Sequence, residues 1–281
     1  MNFSLLRQQV NKAVVAIEFV LIIGTLILAA PHLQAQETET KQAASKTTQD
    51  LPSGEDVMAK HIAKTGGQQA YDKIKNRVSE STLEIVGQNV SLDIKTYAAR
   101  PNKTLVKIDS ELTGKIEKGS DGKVFWENSL ISGPVIHDGV QRSMGLRDST
   151  FERFVHWKTI YESAECVNVK MVGDSECYEV LLQPKKFDPA DEDESPIHVF
   201  FDTSSYLIHK LQAVIELEVG KIDVVAYPGD YREVDGIMIA HKVRMELMGQ
   251  TREVTVKSTK HNVKLPENFF DLPDEVRKLV K

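Results

Sequence analysis

Histidines, cysteines and clustered carboxylates are the residues with which this chain could do chemistry. Their spacing supports little of it. The eight histidines are scattered, and no two stand four apart on one helix face as a helical zinc pair requires. His209, His241 and His261 fall on expected strands and could converge on a metal, although half-exposed strand histidines are the simpler reading. The acidic run Asp188, Asp191, Glu192, Asp193 and Glu194 lacks the sixth-position glycine and twelfth-position glutamate of a calcium loop. Pro184, Pro189 and Pro196 bracket it, so it reads as a solvated connection between strands. No nucleophile elbow, phosphate loop, dinucleotide fingerprint, metalloprotease helix or catalytic-cysteine signature occurs. The sequence therefore predicts no catalytic residue, no metal site, no cofactor and no enzyme.

The two cysteines make neither a CxxC pair nor a disulfide scaffold. With Gly173-Asp174 as the turn of a hairpin and Met171 opposite Glu176, Cys166 faces Leu181 and Cys177 faces Lys170. They then miss each other by roughly 13 Å at ~3.3 Å per residue, too far for a disulfide. Free thiols are expected.

These residues are carried by elements with clear local causes. Ser53 and Asp56 form a capping pattern ahead of Val57, Met58 and Ile62, and Gly66-Gly67 ends that helix. A second short helical piece spans 68–75. From Val78 the apolar period changes to two. Leu83 and Ile85 alternate with polar residues before Gly87-Gln88-Asn89, and Val90, Leu92 and Ile94 do so after it. Val106 and Ile108 form a third strand, and residues 124–126 follow the turn Ser120-Asp121-Gly122. Residues 138–161 break the pattern and read as helical, with Phe151, Phe154, Trp157 and Tyr161 as a core cluster. Strands resume with Val167, Val169 and Met171 facing Tyr178, Val180 and Leu182. Further strands follow at 197–201, 211–219, 221–227, 237–247 and 252–263. Long hairpins with one apolar face imply a mainly β (α+β) fold: a curved antiparallel sheet or open half-barrel with covering helices.

The chain has 281 residues, 41 % hydrophobic and 27 % charged, with a net charge of −6. That balance argues against nucleic-acid binding, which needs a concentrated basic face. Arg7 and Lys12 precede an apolar run at 13–30 interrupted only by Glu18, Gly24 and Thr25, and Leu33-Gln34-Ala35 offers a cleavage site. Residues 1–35 are expected to be a signal peptide, whose removal leaves a net charge of −7. A retained membrane helix and a pilin-like processing segment, with Glu18 as its acid, are the competing readings. No cysteine precedes Cys166, which excludes a bacterial lipoprotein anchor. Residues 36–50 read as a polar linker, and 51–281 as one domain.

Several phrases in this order resemble the bacterial outer-membrane lipoprotein-sorting (LolA/LolB-like) superfamily. They are Arg100-Pro101-Asn102-Lys103, the Asp121-Gly122 turn before Trp126, Phe200-Phe201-Asp202 with Tyr206-Leu207, Tyr231 through Val234-Asp235-Gly236-Ile237, and Phe269-Phe270-Asp271-Leu272-Pro273. The chain departs from it in the acidic insertion at 188–194 and in Ser204-Ser205, where a hairpin glycine is expected. The resemblance implies an incomplete barrel whose apolar cavity holds acyl chains of a lipid or lipoprotein, without catalysis. Leu92, Ile94, Val106, Ile108, Trp126, Ile215, Leu217, Met245 and Leu247 are the inward-facing candidates to line it. The implied partners are lipid or lipoprotein acyl chains and an envelope membrane, in the periplasm or cell envelope. The alternative is a membrane-anchored envelope sensor or interaction module on the same scaffold.

Overall fold

The computed structural model of the chain describes residues 51–110, 114–130, 132–217 and 220–280. The expected signal peptide and linker lie outside the described residues. Helix α1 (Gly54–Lys64) begins where expected, with the Ser53 hydroxyl accepting from Asp56 N at 3.0 Å. Helix α2 (Gln68–Asp72) is shorter than expected. Strands β1 (Asn76–Ile85), β2 (Val90–Ala99), β3 (Lys103–Ser110), β4 (Gly114–Ser120), β5 (Phe125–Ser129) and β6 (Gly133–Ile136) follow as a meander. Helix α3 (Gly139–Asp148) occupies only the start of the segment expected to be helical. Residues 149–156 are turns, and a 3-10 turn at Trp157–Thr159 completes it. Then come β7 (Tyr161–Val172), β8 (Ser175–Pro184), β9 (Ile197–Asp202), β10 (Ile208–Leu217), β11 (Gly220–Val234), β12 (Ile237–Leu247), β13 (Gln250–His261) and the short α4 (Asp274–Arg277). No described helix is long and apolar enough to cross a membrane.

The strands form one antiparallel sheet in the order β6-β5-β4-β3-β2-β1-β13-β12-β11-β10-β9-β8-β7. It does not close, because β6 and β7 are its edges. This is the expected class, mainly β with helices laid on an unclosed sheet of the half-barrel type. Strands β4 and β6 went unsignalled for a physical reason. The sequence of β4, GKIEKGS, has one apolar side chain, yet Lys118 and Ser120 take the buried positions that alternation reserves for apolar residues.

Two compact units make up the chain. The first contains Ile74–Arg153 and Val256–Lys281, the second residues 51–73 and Phe154–Thr255. In the second unit the register confirms Met171 opposite Glu176 and Cys177 opposite Lys170. A bulge between Cys166 and Asn168 moves Cys166 opposite Val180 rather than Leu181. The two thiols therefore lie on opposite faces of the sheet, and both are free and buried.

Candidate functional site

In the first unit one sheet face is identified by α3, whose Gly145 lies directly against the Phe125 ring with no room for a β-carbon. Paired residues of an antiparallel sheet share a face, so the register assigns the rest of that inner face. Phe125 pairs with Ser120, and Ser120 with Thr104. The next row is Thr96, Val106, Lys118 and Glu127. Beyond it lie Ser81, Ile94, Ile108 and Ile116, then Leu83 and Leu92. Leu92, Ile94, Val106 and Ile108 thus share one buried face.

Trp126 does not join them. It pairs with Gly119, which pairs with Leu105, a row of the opposite phase. Its ring lies over Gly119, 3.1 Å from where a β-carbon would be. Leu105, Trp126 and Val276 form a separate core on that outer face, with Tyr97, Phe269, Phe270 and Leu272 packed around it. The C-terminal phrase Phe269 to Pro273 is the cover of Trp126, so an aromatic expected to line a cavity instead anchors the chain end.

In the second unit α1 marks the inner face. Val57, Met58 and His61 are buried, and the His61 ring meets Phe201 edge-on at 5.2 Å and Phe154 at 6.2 Å. Val180, Val199, Leu211, Ala226 and Met245 form one row across β8 to β12. Val224 with Leu247, and Ile215 with Ile222, continue the same face. Ile215, Met245 and Leu247 are buried there, while Leu217 holds the last register position of β10, opposite Gly220. One charged residue was missed. Arg252 pairs with Met245, is 1 % exposed and hydrogen-bonds Gln250 Oε1 at 3.3 Å. Burial pushes its guanidinium down to about 10. Its signal was available, because Arg252 stands in the apolar phase of Val254 and Val256.

Both motif turns of the second unit are built by hydrogen bonds. Asp202 Oδ1 accepts from the backbone N and the hydroxyl of both Ser204 and Ser205. Burial pushes this carboxyl up, but those four bonds outweigh it and hold it at about 2. The left-handed position of the turn is neither serine; it is Tyr206, at φ 58°. An L side chain costs about 1–2 kcal/mol there, and its surroundings hold it. Lys60 Nζ donates to Tyr206 Oη at 3.1 Å, Tyr178 stacks on its ring at 6.0 Å, and His61 Nδ1 bonds its carbonyl at 2.8 Å. A carbonyl only accepts, so Nδ1 carries the His61 proton. Burial lowers the imidazole to about 4, partly offset by that bond. In the second motif Tyr231 Oη accepts from Ile208 N at 3.0 Å, and Asp235-Gly236 turns the chain at positive φ.

A groove of about 490 Å³ in the first unit has a different character. Ser81, Ile94, Ile108 and Ile116 contribute to its lining, together with charged residues of β1 to β4 and Lys257. Glu80–Lys95, Glu117–Lys107 and Asp93–Lys257 pair along it at 2.7 Å each. The groove thus combines ion pairs with the isoleucines of β2, β3 and β4. The three strand histidines have separate surroundings: His241 Nδ1 bonds Ile239 O, His261 Nε2 accepts from Arg77 Nε, and His209 is pushed down by burial. Among the described residues no three His, Cys, Asp or Glu side chains could hold a metal ion. The acidic run at 188–194 is a loop between β8 and β9.

No protein-family model and no curated protein matches the sequence. Solved structures do. A LolA superfamily protein from Nitrosomonas europaea superimposes with a TM-score of 0.55 at 12 % identity, covering 79 % of this chain and 99 % of that one. The fold is LolA-like. A DUF1329 family protein from Desulfovibrio piger gives 0.55 at 14 % identity over 79 % and 98 %. A domain from Vibrio parahaemolyticus, described as an outer membrane lipoprotein-sorting protein, gives 0.53 at 12 % over 77 % and 95 %. At these identities the likeness concerns the LolA-like fold alone.

Proposed function

We propose that this chain is an exported, non-catalytic protein that holds a hydrophobic ligand, a lipid or lipoprotein acyl chain, against the inner face of its LolA-like sheet. The observation that carries this reading is the apolar inner face of the second unit. Val199, Leu211, Ile215, Val224, Met245 and Leu247 form a continuous surface there, with α1 packed against the same face at Phe201. Transfer of an acyl chain from water onto such a surface contributes ~0.8 kcal/mol per methylene, so reversible binding needs no covalent step. Export rests on the basic, apolar and small-residue order of residues 1–35. The test is native mass spectrometry of protein isolated from a membrane-containing cell, followed by lipid extraction. About one lipid per chain is expected, on a polypeptide beginning near Gln36. A ligand-free chain that also fails to take up an apolar fluorescent probe would defeat the binding reading, and recovery of intact residues 1–35 from membranes would defeat the processed form.

A further inference from the structure

The inner face of the first unit is not uniformly apolar, and its polar groups are incompletely satisfied. Lys118, whose side chain is 4 % exposed, gives one hydrogen bond to Glu127 Oε2 at 2.6 Å. An ammonium has three donors, and among the described residues Glu127 is its only partner. Thr104 is 3 % exposed, and its hydroxyl has no hydrogen-bond partner. Thr104 pairs with Ser120 and Val106 with Lys118, so Thr104 and Lys118 are diagonal neighbours on one face of β3 and β4. Diagonal neighbours lie about 7–8 Å apart, within reach of a long side chain such as that of lysine. Buried donors left unpaired are costly, and what satisfies both of these is an acceptor oxygen.

We propose that Lys118 and Thr104 form a polar subsite for the acyl carbonyl oxygen of an amphiphilic ligand. The charge of Lys118 is already balanced by Glu127, so the subsite suits the neutral carbonyl of an ester rather than a free carboxylate, which Glu127 would repel. The tail of the ligand would continue along Val106, Ile108 and Ile94, on the next rows of the same face. This inference rests on the apolar-ligand reading above, extended to the inner face of the first unit, and two probes keep them separable. One is a pyrene-labelled dodecanoic acid methyl ester, the other dodecylpyrene, which shares the tail and lacks the carbonyl.

Lys118→Met alone would strand Glu127, so the variants are Thr104→Val and the double replacement Lys118→Met with Glu127→Met, which removes a buried pair whole. Each should weaken the ester about tenfold, the loss of roughly one good hydrogen bond, and leave dodecylpyrene within twofold, with thermal melts verifying the fold. Equal losses for both probes, or no loss for either, would overturn the subsite. Tighter binding of the free acid than of its ester would overturn the assignment to a neutral carbonyl. If the unaltered chain takes up neither probe, the apolar-ligand reading fails and the subsite with it.

Discussion

His61 is the residue whose surroundings most clearly constrain its chemistry. Unfolded, it protonates near 6.5; folded, burial holds it at about 4. Between those values the unfolded chain binds a proton that the folded chain does not. Stability should therefore fall as pH drops from about 6.5 towards 4, by roughly 3 kcal/mol over the full span, and be insensitive to this group above pH 7. Urea melts of wild type and His61→Leu from pH 4.5 to 7.5 check this: the wild-type slope should be absent in the variant, and parallel slopes would refute the burial. The thiols make a second residue-scale expectation. Burial pushes Cys166 up to about 11 and Cys177 to about 12, and only thiolates are nucleophilic. Neither should react with a thiol reagent at pH 8 in the folded protein, and both should react in denaturant. Arg252 bears on any test of the inner face. Met245→Arg would put a second cation directly opposite it, whereas Met245→Glu supplies a partner. The arginine variant should melt lower than the glutamate variant, and the reverse order would show that Arg252 points elsewhere.

Strands and helices follow the sequence wherever local chemistry and burial agree. The Ser53 cap, the β1–β2 hairpin and the β7–β8 turn were legible because capping, period and turn residues point to the same structure. Strand β4 was not, since its buried positions hold Lys118 and Ser120, which become tolerable only once Glu127 and the Gly122 amide are opposite them. The outer-face role of Trp126 was equally hidden. Its cover comes from residues 269–276, far along the chain, and strand alternation cannot tell which of two faces is apolar when both are. Truncation after Glu267 removes that cover. Trp126 emission should shift to the red while Trp157, buried in the second unit, stays unchanged. An unshifted spectrum would show that the C-terminal segment does not pack there.

For the whole molecule, a ligand that binds only the folded state adds stability by mass action, about 2.7 kcal/mol at one hundred times its Kd. In a chain of this size that corresponds to a melting rise of roughly 5–10 °C. Delipidated protein should melt lower than protein as isolated and recover on addition of an apolar probe; identical melts would argue against a bound ligand. Composition, period and turn chemistry were enough to give a mainly β antiparallel architecture, its helix starts, its free thiols and the order of its motifs, because each depends on a few neighbouring residues. The order of phrases also foreshadowed the LolA-like fold. Only the tertiary structure decided that Trp126 belongs to the outer face, that Tyr206 holds the left-handed turn, and that Lys118, Thr104 and Arg252 are buried beside the apolar rows. Those outcomes depend on which strand lies next to which and on what covers each face, and such contacts join residues that local sequence patterns leave unconnected.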